Sequence, residues 1–174
     1  RDRLLQISMS KGIQFLFNSP LKSIERRSNG VLEVRLGDTT VECDAMLCAV
    51  GRVANTGRLG LESASVEIDE NGAVRVDEYS RSTCPSIYAV GDVTNRVQLT
   101  PIAIREGQAF ADTVFGGRPT AVDHSLIGTA VFAEPEVATV GLAEHDAATH
   151  GDIDVYVTRF RPMMNTLSRK SERM

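Results

Sequence analysis

Short apolar runs alternate with polar, glycine-containing turns along this chain, and this pattern predicts many short strands with few helices. Over residues 1–50 the predicted elements are a helix at 1–12, a strand at 13–17, a hairpin of 21–27 with 31–36, a short strand ending at Glu42 and a strand at 45–50. Asn29-Gly30 supports the hairpin, because this dipeptide favours the positive φ angles of a tight turn. A helix, a buried strand and an antiparallel meander in this order are typical of an α/β nucleotide-binding domain.

The rest of the chain carries one longer helix among further short strands. Its predicted elements are strands at 66–68 and 74–76, a buried strand within 86–95, a helix at 102–115, strands at 129–132, 137–140 and 155–160, and a helix at 144–149. Thr100 and Pro101 predict the start of the longer helix, as its N-cap and its first helical residue. Gly-Gly-Arg-Pro at 116–119 interrupts the pattern and indicates a boundary.

The buried strand within 86–95 ends abruptly in Gly91-Asp92, the most informative feature of the chain. Glycine lets a ligand approach the backbone closely, and a carboxylate at a strand end can hold a hydroxyl group of a nucleotide. The N-terminus of the following helix carries unpaired N–H groups and about half a positive charge. The convergence of these three features predicts a nucleotide-binding site.

Three parts of the chain resemble the FAD-dependent pyridine nucleotide-disulfide oxidoreductases. The strand ending in Gly91-Asp92 is similar to the family's second FAD motif. Residues 49–56 are similar to its Gly-Arg-x-Pro-Asn-Thr stretch, with Ala54 in the place of proline. Residues 132–135 and 138–142 resemble the opening of its dimerisation domain.

Two further segments distinguish branches of the family. Leu-Thr-Pro-Ile-Ala at 99–103 resembles the glutathione reductase branch, whereas lipoamide dehydrogenases typically have Leu-Ala-His-Lys-Ala there. Residues 160–163 and 165–168 are likewise similar to glutathione reductases. The resemblance implies an enzyme that passes electrons from NADPH through FAD and a redox disulfide to glutathione disulfide.

The resemblance also implies a fold of the α/β and α+β classes. Partial doubly wound FAD/NAD(P)-binding domains would be followed by the start of an α+β dimerisation domain, as in a homodimer. The implied divisions are the C-terminal half of the NADPH-binding domain at 1–52, a central FAD-binding segment at 53–117 and the N-terminal part of the interface domain at 118–174. We expect an inactive fragment, because the first FAD motif, the redox disulfide and the catalytic histidine of the family are missing from the sequence.

Candidate site positions follow from the same resemblance. The FAD positions are Gly91, Asp92, Leu99 and Thr100, the NADP positions are Gly51, Gln98 and Ala130, and the substrate positions are Ile104, Gln108, Phe160 and Met163. Ile104 and Gln108 lie one helical turn apart and so share a face. Core packing is the alternative role for Ile104 and Met163. No catalytic residue or metal ligand is assigned, and the three histidines are expected in turns or on a surface helix: His124, His145 and His150.

The three cysteines are an odd number, which argues against a disulfide-stapled secreted module, and we expect a protein of the reducing cytoplasm. Cys43 and Cys48 have the spacing of the family's redox disulfide. In a strand, however, residues five apart are separated by about 16 Å, whereas a disulfide needs Cα atoms about 5.5 Å apart. We therefore predict that both are structural thiols, and that Cys84 lies in a loop.

Composition excludes several other classes. The chain is 42% apolar and 24% charged, which is typical of a globular protein rather than a disordered one. No apolar stretch approaches the roughly 20 residues that a membrane-spanning helix needs. A net charge of −4 gives no basis for nucleic-acid binding, and the basic cluster at 159–173 lacks interleaved aromatic residues.

Two alternatives to a glutathione reductase remain open. One is another disulfide reductase of the same family, acting on trypanothione, mycothione or thioredoxin. The other is a non-catalytic remnant that serves as a dimerisation module, which the interface-like C-terminal segment suggests.

Overall fold

The computed structural model describes residues 2–168 and divides the chain into two compact units. The first unit combines the residues up to Cys48 with those from Leu126 onward, and the second is Ala49–Ser125. The chain contains both helices and strands, in agreement with the predicted mixed class. The division into 1–52, 53–117 and 118–174 concerns which cofactor each part binds, and it stays a prediction.

Helix α1 (Asp2–Ser10) begins the first unit and confirms the helix predicted at 1–12. It ends in a turn in which the Gly12 N–H donates to the Met9 carbonyl at 3.0 Å. The strand predicted at 13–17 is wrong, because these residues are irregular and exposed. A strand is held by hydrogen bonds to a neighbour, and no other segment within residues 2–168 pairs with this one.

Three antiparallel strands form a meander in the first unit, and their order in the sheet is β1 (Leu21–Arg26), β2 (Leu32–Leu36) and β3 (Thr39–Cys43). The predicted hairpin and third strand are therefore confirmed, with Gly30 at a φ of +89° in the connecting turn. Glu33 of β2 lies opposite Glu42 of β3, and Arg27 pairs with both carboxylates. This pairing offsets the repulsion of two like charges, and the hydrogen bond with Glu33 raises the pKa of Arg27.

Three other predicted strands do not form as regular strands. Residues 45–50 are irregular, with Leu47 and Val50 89% and 87% exposed, so the predicted exit strand is wrong. The strands predicted at 66–68 and 74–76 are reduced to isolated bridges, one between Ile68 and Val74 and one between Val76 and Ser82. The sequence patterns marked apolar segments correctly, but the ladders that would make them strands need further strands beside them.

The core of the second unit lies between this bridged segment and a long helix. The buried strand predicted within 86–95 is also only a bridge, between Arg81 and Tyr88, and a 3₁₀ helix follows it at Gly91–Thr94. Helix α2 (Thr100–Val114) confirms the helix predicted at 102–115. Its N-cap is Leu99 rather than Thr100, so the predicted start was displaced by one residue.

The residues from Leu126 onward add short elements to the first unit, which are β4 (Thr129–Val131), β5 (Val137–Thr139), α3 (Glu144–Ala147) and α4 (Met163–Leu167). The strands β4 and β5 and the helix α3 confirm predicted elements, whereas the antiparallel pairing of the two strands and α4 were not predicted. The strand predicted at 155–160 is wrong, since these residues are irregular. The basic cluster at 159–173 lies partly outside the described residues. Among residues 2–168, no helix has the length and hydropathy to cross a bilayer.

Candidate functional site

The Gly91-Asp92 turn is fixed firmly within the second unit. The Thr94 hydroxyl donates to the Gly91 carbonyl at 2.8 Å, which closes the 3₁₀ helix on itself. The Val74 N–H donates to the Val93 carbonyl at 2.9 Å and so joins the turn to the buried segment of the core. The turn is thus held from within and from the side.

Gly91 is the point at which this turn meets helix α2. Its φ of +73° lies in the left-handed region, and the residue is buried. A Cβ atom at this position would lie 2.9 Å from the Cβ of Ala103, closer than real Cβ atoms approach. Position 91 therefore requires glycine, and this absence of a side chain lets α2 pack directly on the turn.

The first turn of α2 begins at Leu99 and Thr100, two of the predicted FAD positions. The Leu99 carbonyl accepts hydrogen bonds from the N–H groups of Ile102 and Ala103, both at 3.0 Å. The N-cap supplies no side-chain hydrogen bond, and Thr100 is exposed. The positive end of the helix dipole is therefore not neutralised by a capping side chain.

Asp92 lies beside a second predicted motif. Its side chain is 42% exposed, and its Oδ2 atom lies 3.4 Å from Nη2 of Arg52. The predicted NADP residue Gly51 immediately precedes this arginine, is exposed and has a φ of +98°. The structure thus brings the segments at 49–56 and 86–95 together, although a pair this exposed contributes little to stability.

A buried carboxylate lies behind the turn. Glu106 of α2 is only 1% exposed, and its Oε2 atom accepts a hydrogen bond from the Gly91 N–H at 2.6 Å. Its Oε1 atom lies 3.0 Å from Nη2 of Arg96 and 2.7 Å from Nε2 of His124. Hydrogen bonds of this kind, with a charged partner, are the stronger class in proteins.

Sequence reasoning missed the cluster of Glu106, Arg96 and His124. His124 was expected in a turn or on a surface helix, yet its ring contacts the buried carboxylate and its side chain is only 24% exposed. A signal was present, because Glu106 falls four residues after Ile102 and three before Ala109, on the buried stripe of an amphipathic helix. A charged residue on such a stripe indicates a paired buried group.

The remaining predicted residues of the second unit lie on the surface near the start of α2. Gln98 donates from Nε2 to the Asn95 side-chain oxygen at 2.9 Å. Ile104 is 67% exposed, so core packing does not account for it, and Gln108 is exposed one turn further along the same face. The Gln108 amide donates to Asp112 at 3.2 Å. This helix face is therefore open to a ligand.

Three predicted residues belong to the first unit. Ala130 lies in β4 opposite Ala138 of β5, and both are exposed. Phe160 is irregular and 57% exposed, and Met163 begins α4 with 82% exposure. Core packing is therefore not the role of Met163 in this unit. The cofactor and substrate roles assigned to the candidate residues of both units stay predictions.

The cysteines and the other histidines add no chemistry of their own. Cys43, Cys48 and Cys84 are all free thiols. Cys84 lies 3.6 Å from the Ser86 hydroxyl, and hydrogen bonds with Ser86 lower the pKa of the Cys84 thiol. His145 and His150 are exposed, as expected. Over residues 2–168 there is no cluster of histidine, cysteine and acidic side chains that could hold a metal ion.

Comparison with known proteins supports a specific family. Residues 1–107 match the family model described as pyridine nucleotide-disulphide oxidoreductase. Glutathione reductase of Burkholderia cepacia is 46% identical over 99% of this chain, which covers 39% of that protein. Trypanothione reductase of Trypanosoma congolense is 38% identical over 97% of the chain, which covers 35% of that protein. The chain thus spans well under half the length of these curated relatives.

A solved structure gives the same picture of the fold. The HOCl-induced flavoprotein disulfide reductase RclA from Escherichia coli superposes with a TM-score of 0.81 at 27% identity. The match covers 91% of this chain and 36% of RclA.

Proposed function

Because the chain belongs to the pyridine nucleotide-disulphide oxidoreductase family, we propose that it is part of an FAD-dependent reductase that passes electrons from NADPH to glutathione disulfide. The identity of 46% with a bacterial glutathione reductase over nearly the whole chain supports this assignment. The chain spans 39% of that relative, so the activity, substrate and partners are those of a longer protein to which this chain contributes one portion.

The observation that carries the proposal is the packing of the Gly91-Asp92 turn against the start of α2. A Cβ atom at position 91 would fill the space that the turn needs, and the carboxylate of Asp92 is accessible beside it. FAD held at this turn would supply the chemistry of hydride acceptance and of electron transfer to a disulfide. In this chain, Asp92 would accept hydrogen bonds from the ribityl hydroxyl groups, and Gly91 would let the start of α2 lie against the turn that carries Asp92.

The start of α2 has a separate role in this proposal. Its dipole places about half a positive charge near Leu99 and Thr100, and no side chain caps it. Pointed at the flavin ring, this end of the helix would stabilise negative charge that develops there on reduction. Leu99 and Thr100 would therefore favour acceptance of hydride from NADPH.

The remaining candidates would bind NADPH and substrate. We assign Gly51, Gln98 and Ala130 to NADPH, and Ile104, Gln108, Phe160 and Met163 to glutathione disulfide. Exposure of Ile104 and Gln108 on one face of α2 suits contact with a bound peptide. Trypanothione disulfide is the second candidate substrate, because a trypanothione reductase is 38% identical to the chain.

We also propose that the reductase is a homodimer in a reducing cytoplasm. Support for the dimer comes from consecutive apolar side chains at the end of β4, since Val131 is 53% and Phe132 91% exposed. Exposed apolar groups that lie near one another are typical of interaction surfaces. Support for the compartment comes from the three free thiols.

Steady-state kinetics of the full-length protein that carries this chain tests the substrate. We expect NADPH oxidation with glutathione disulfide and a much lower kcat/KM with trypanothione disulfide. The reverse order would assign the enzyme to the second candidate. Absence of NADPH-dependent reduction of any disulfide would contradict the proposal and favour a non-catalytic role.

Flavin binding tests the site. Asp92→Asn should raise the FAD dissociation constant by roughly 10- to 150-fold, the factor for losing one charge-assisted hydrogen bond. Glu78→Gln, a matched change at an exposed carboxylate of the same unit, should leave the constant unchanged. Equal FAD affinity in the two variants would remove Asp92 from the site.

A further inference from the structure

Glu106 is the most deeply buried charged side chain among the described residues, and it lies directly behind the cofactor turn. Its two oxygen atoms have different partners, the Gly91 N–H at Oε2 and the side chains of Arg96 and His124 at Oε1. An ionised carboxylate only accepts hydrogen bonds, and each of its oxygens offers about two lone-pair sites. The arrangement therefore suits three donors and leaves none of them unpaired.

These donors come from three different segments of the second unit. Gly91 begins the turn, Arg96 follows it, and His124 lies at the end of the chain segment that leaves α2. Arg96 is itself held in place, because it also donates to the hydroxyl groups of Ser80 at 3.0 Å and Thr94 at 3.3 Å. One carboxylate on α2 thus connects the turn, the loop after it and the segment that leads out of the unit.

Burial makes the hydrogen bond between the Gly91 N–H and Glu106 costly to break. A buried N–H group without a partner is costly, so the Gly91 amide stays where Glu106 can receive it. This N–H lies in the peptide unit that enters Gly91, and the Gly91 Cα joins that unit directly to the one that leads to Asp92. Any displacement of the Glu106 carboxylate is therefore passed on to the backbone that carries Asp92.

We propose that Glu106 is a positioning residue for the cofactor turn: it fixes the Gly91 amide, and through it the direction of the Asp92 carboxylate toward FAD. This inference rests on the proposed function for the identity of the ligand. The contact with Gly91 is independent of that function. Arg96 and His124 contribute to this positioning because they hold the other oxygen of Glu106.

Glu106→Gln is the informative substitution because it changes no volume. Glutamine has one acceptor atom and one donor group, whereas both oxygens of Glu106 face donors. If the glutamine NH₂ group faces Gly91, it meets the Gly91 N–H, and two hydrogen-bond donors then oppose each other. If the NH₂ group faces Arg96 instead, the guanidinium loses the carboxylate oxygen with which it pairs. Either orientation weakens the hold on the turn.

Hydrogen exchange of the flavin-free, full-length protein tests the contact without reference to activity. In peptides that cover residues 88–92, Glu106→Gln should speed exchange of the Gly91 amide by at least about tenfold. The matched control is Asp112→Asn, the same chemical change on the same helix at a carboxylate that pairs with Arg118 at 2.8 Å. Unchanged exchange in Glu106→Gln, or equal changes in the two variants, would overturn the proposal.

A double-mutant cycle on FAD affinity tests the positioning role. Glu106→Gln should raise the FAD dissociation constant about tenfold when Asp92 is present. In the Asp92→Asn background the same substitution should change it by less than about twofold, because the two residues act through one another. A purely structural role for Glu106 predicts the same factor in both backgrounds, and that outcome would refute positioning.

The experiments still test the proposal if the protein binds no FAD or if the Glu106→Gln variant does not fold. If the unmodified protein binds no FAD, the proposed function fails, while the exchange experiment still decides whether Glu106 holds Gly91. If Glu106→Gln yields no folded protein, His124→Ala replaces it, since it removes one donor from the same carboxylate. Faster exchange of the Gly91 amide in His124→Ala than in the unmodified protein supports the positioning role of Glu106, and unchanged exchange contradicts it.

Discussion

Replacing Gly91 with alanine tests the packing on which the cofactor site depends. The left-handed conformation at this residue costs an L-amino acid about 1–2 kcal/mol. The added methyl group would meet the Cβ of Ala103 at 2.9 Å, and that atom cannot move without moving α2. Overpacking of this kind costs about 1–3 kcal/mol.

One effect acts in the opposite direction. Alanine restricts the unfolded chain more than glycine does, which stabilises the folded state by about 0.4–1 kcal/mol. Summing these contributions gives a net loss in the free energy of unfolding of about 3 kcal/mol, within a range of roughly 1–4.5 kcal/mol. Urea unfolding followed by circular dichroism measures it.

Gly107 supplies the matched control, because it lies in the interior of α2 and a Cβ there would meet nothing within 4 Å. Gly107→Ala should stabilise the protein by about 0.5–1 kcal/mol through helix propensity alone. The two substitutions are chemically identical and should have opposite signs. Equal signs would mean that the backbone at Gly91 is not confined as described.

A second substitution separates the two costs at Gly91. Ala103→Gly removes the atom that the new methyl group would meet. In that background the Gly91→Ala penalty should fall by about 1–3 kcal/mol, which leaves mainly the backbone cost. Strict additivity of Gly91→Ala and Ala103→Gly would refute the steric part of the argument.

Two remaining predictions concern groups outside the cofactor site. Ser86→Ala should raise the pKa of Cys84 and so slow its alkylation by iodoacetamide at neutral pH relative to the unmodified protein, with the other two thiols as internal references; an unchanged rate would show that Ser86 does not stabilise the thiolate. Arg27→Gln should destabilise the β1–β3 meander, because Glu33 and Glu42 would then face each other uncompensated. Since Glu33 raises the pKa of Arg27, the stabilising effect of the arginine is present throughout the neutral range and is lost only as the pH rises through that strongly alkaline pKa. Thermal unfolding at low and high salt checks this second prediction, and a deficit that does not shrink in high salt would contradict it.

The accuracy of the sequence predictions follows from how local each signal is. The hairpin turn at Gly30 and helix α2 were predicted correctly, because a turn dipeptide and helical periodicity both depend on residues that are close together in the sequence. The strands at 13–17 and 45–50 were not, because a strand forms only when another segment supplies hydrogen bonds. Their apolar side chains were identified correctly, but within residues 2–168 no partner strand lies beside them.

The residues of the candidate site likewise differ in whether the local sequence reveals them. Gly91 and Asp92 could be found because a strand end, a glycine and a carboxylate are adjacent in the chain. Glu106 and His124 are 18 residues apart in the sequence, and the local sequence around either residue does not indicate that the other is its partner. The charge of Glu106 on the buried stripe of α2 was still a readable signal, since a carboxylate there must be paired to be tolerated. A buried acid on an otherwise apolar helix face therefore indicates where a distant segment will be fixed, even when the sequence does not say which segment that is.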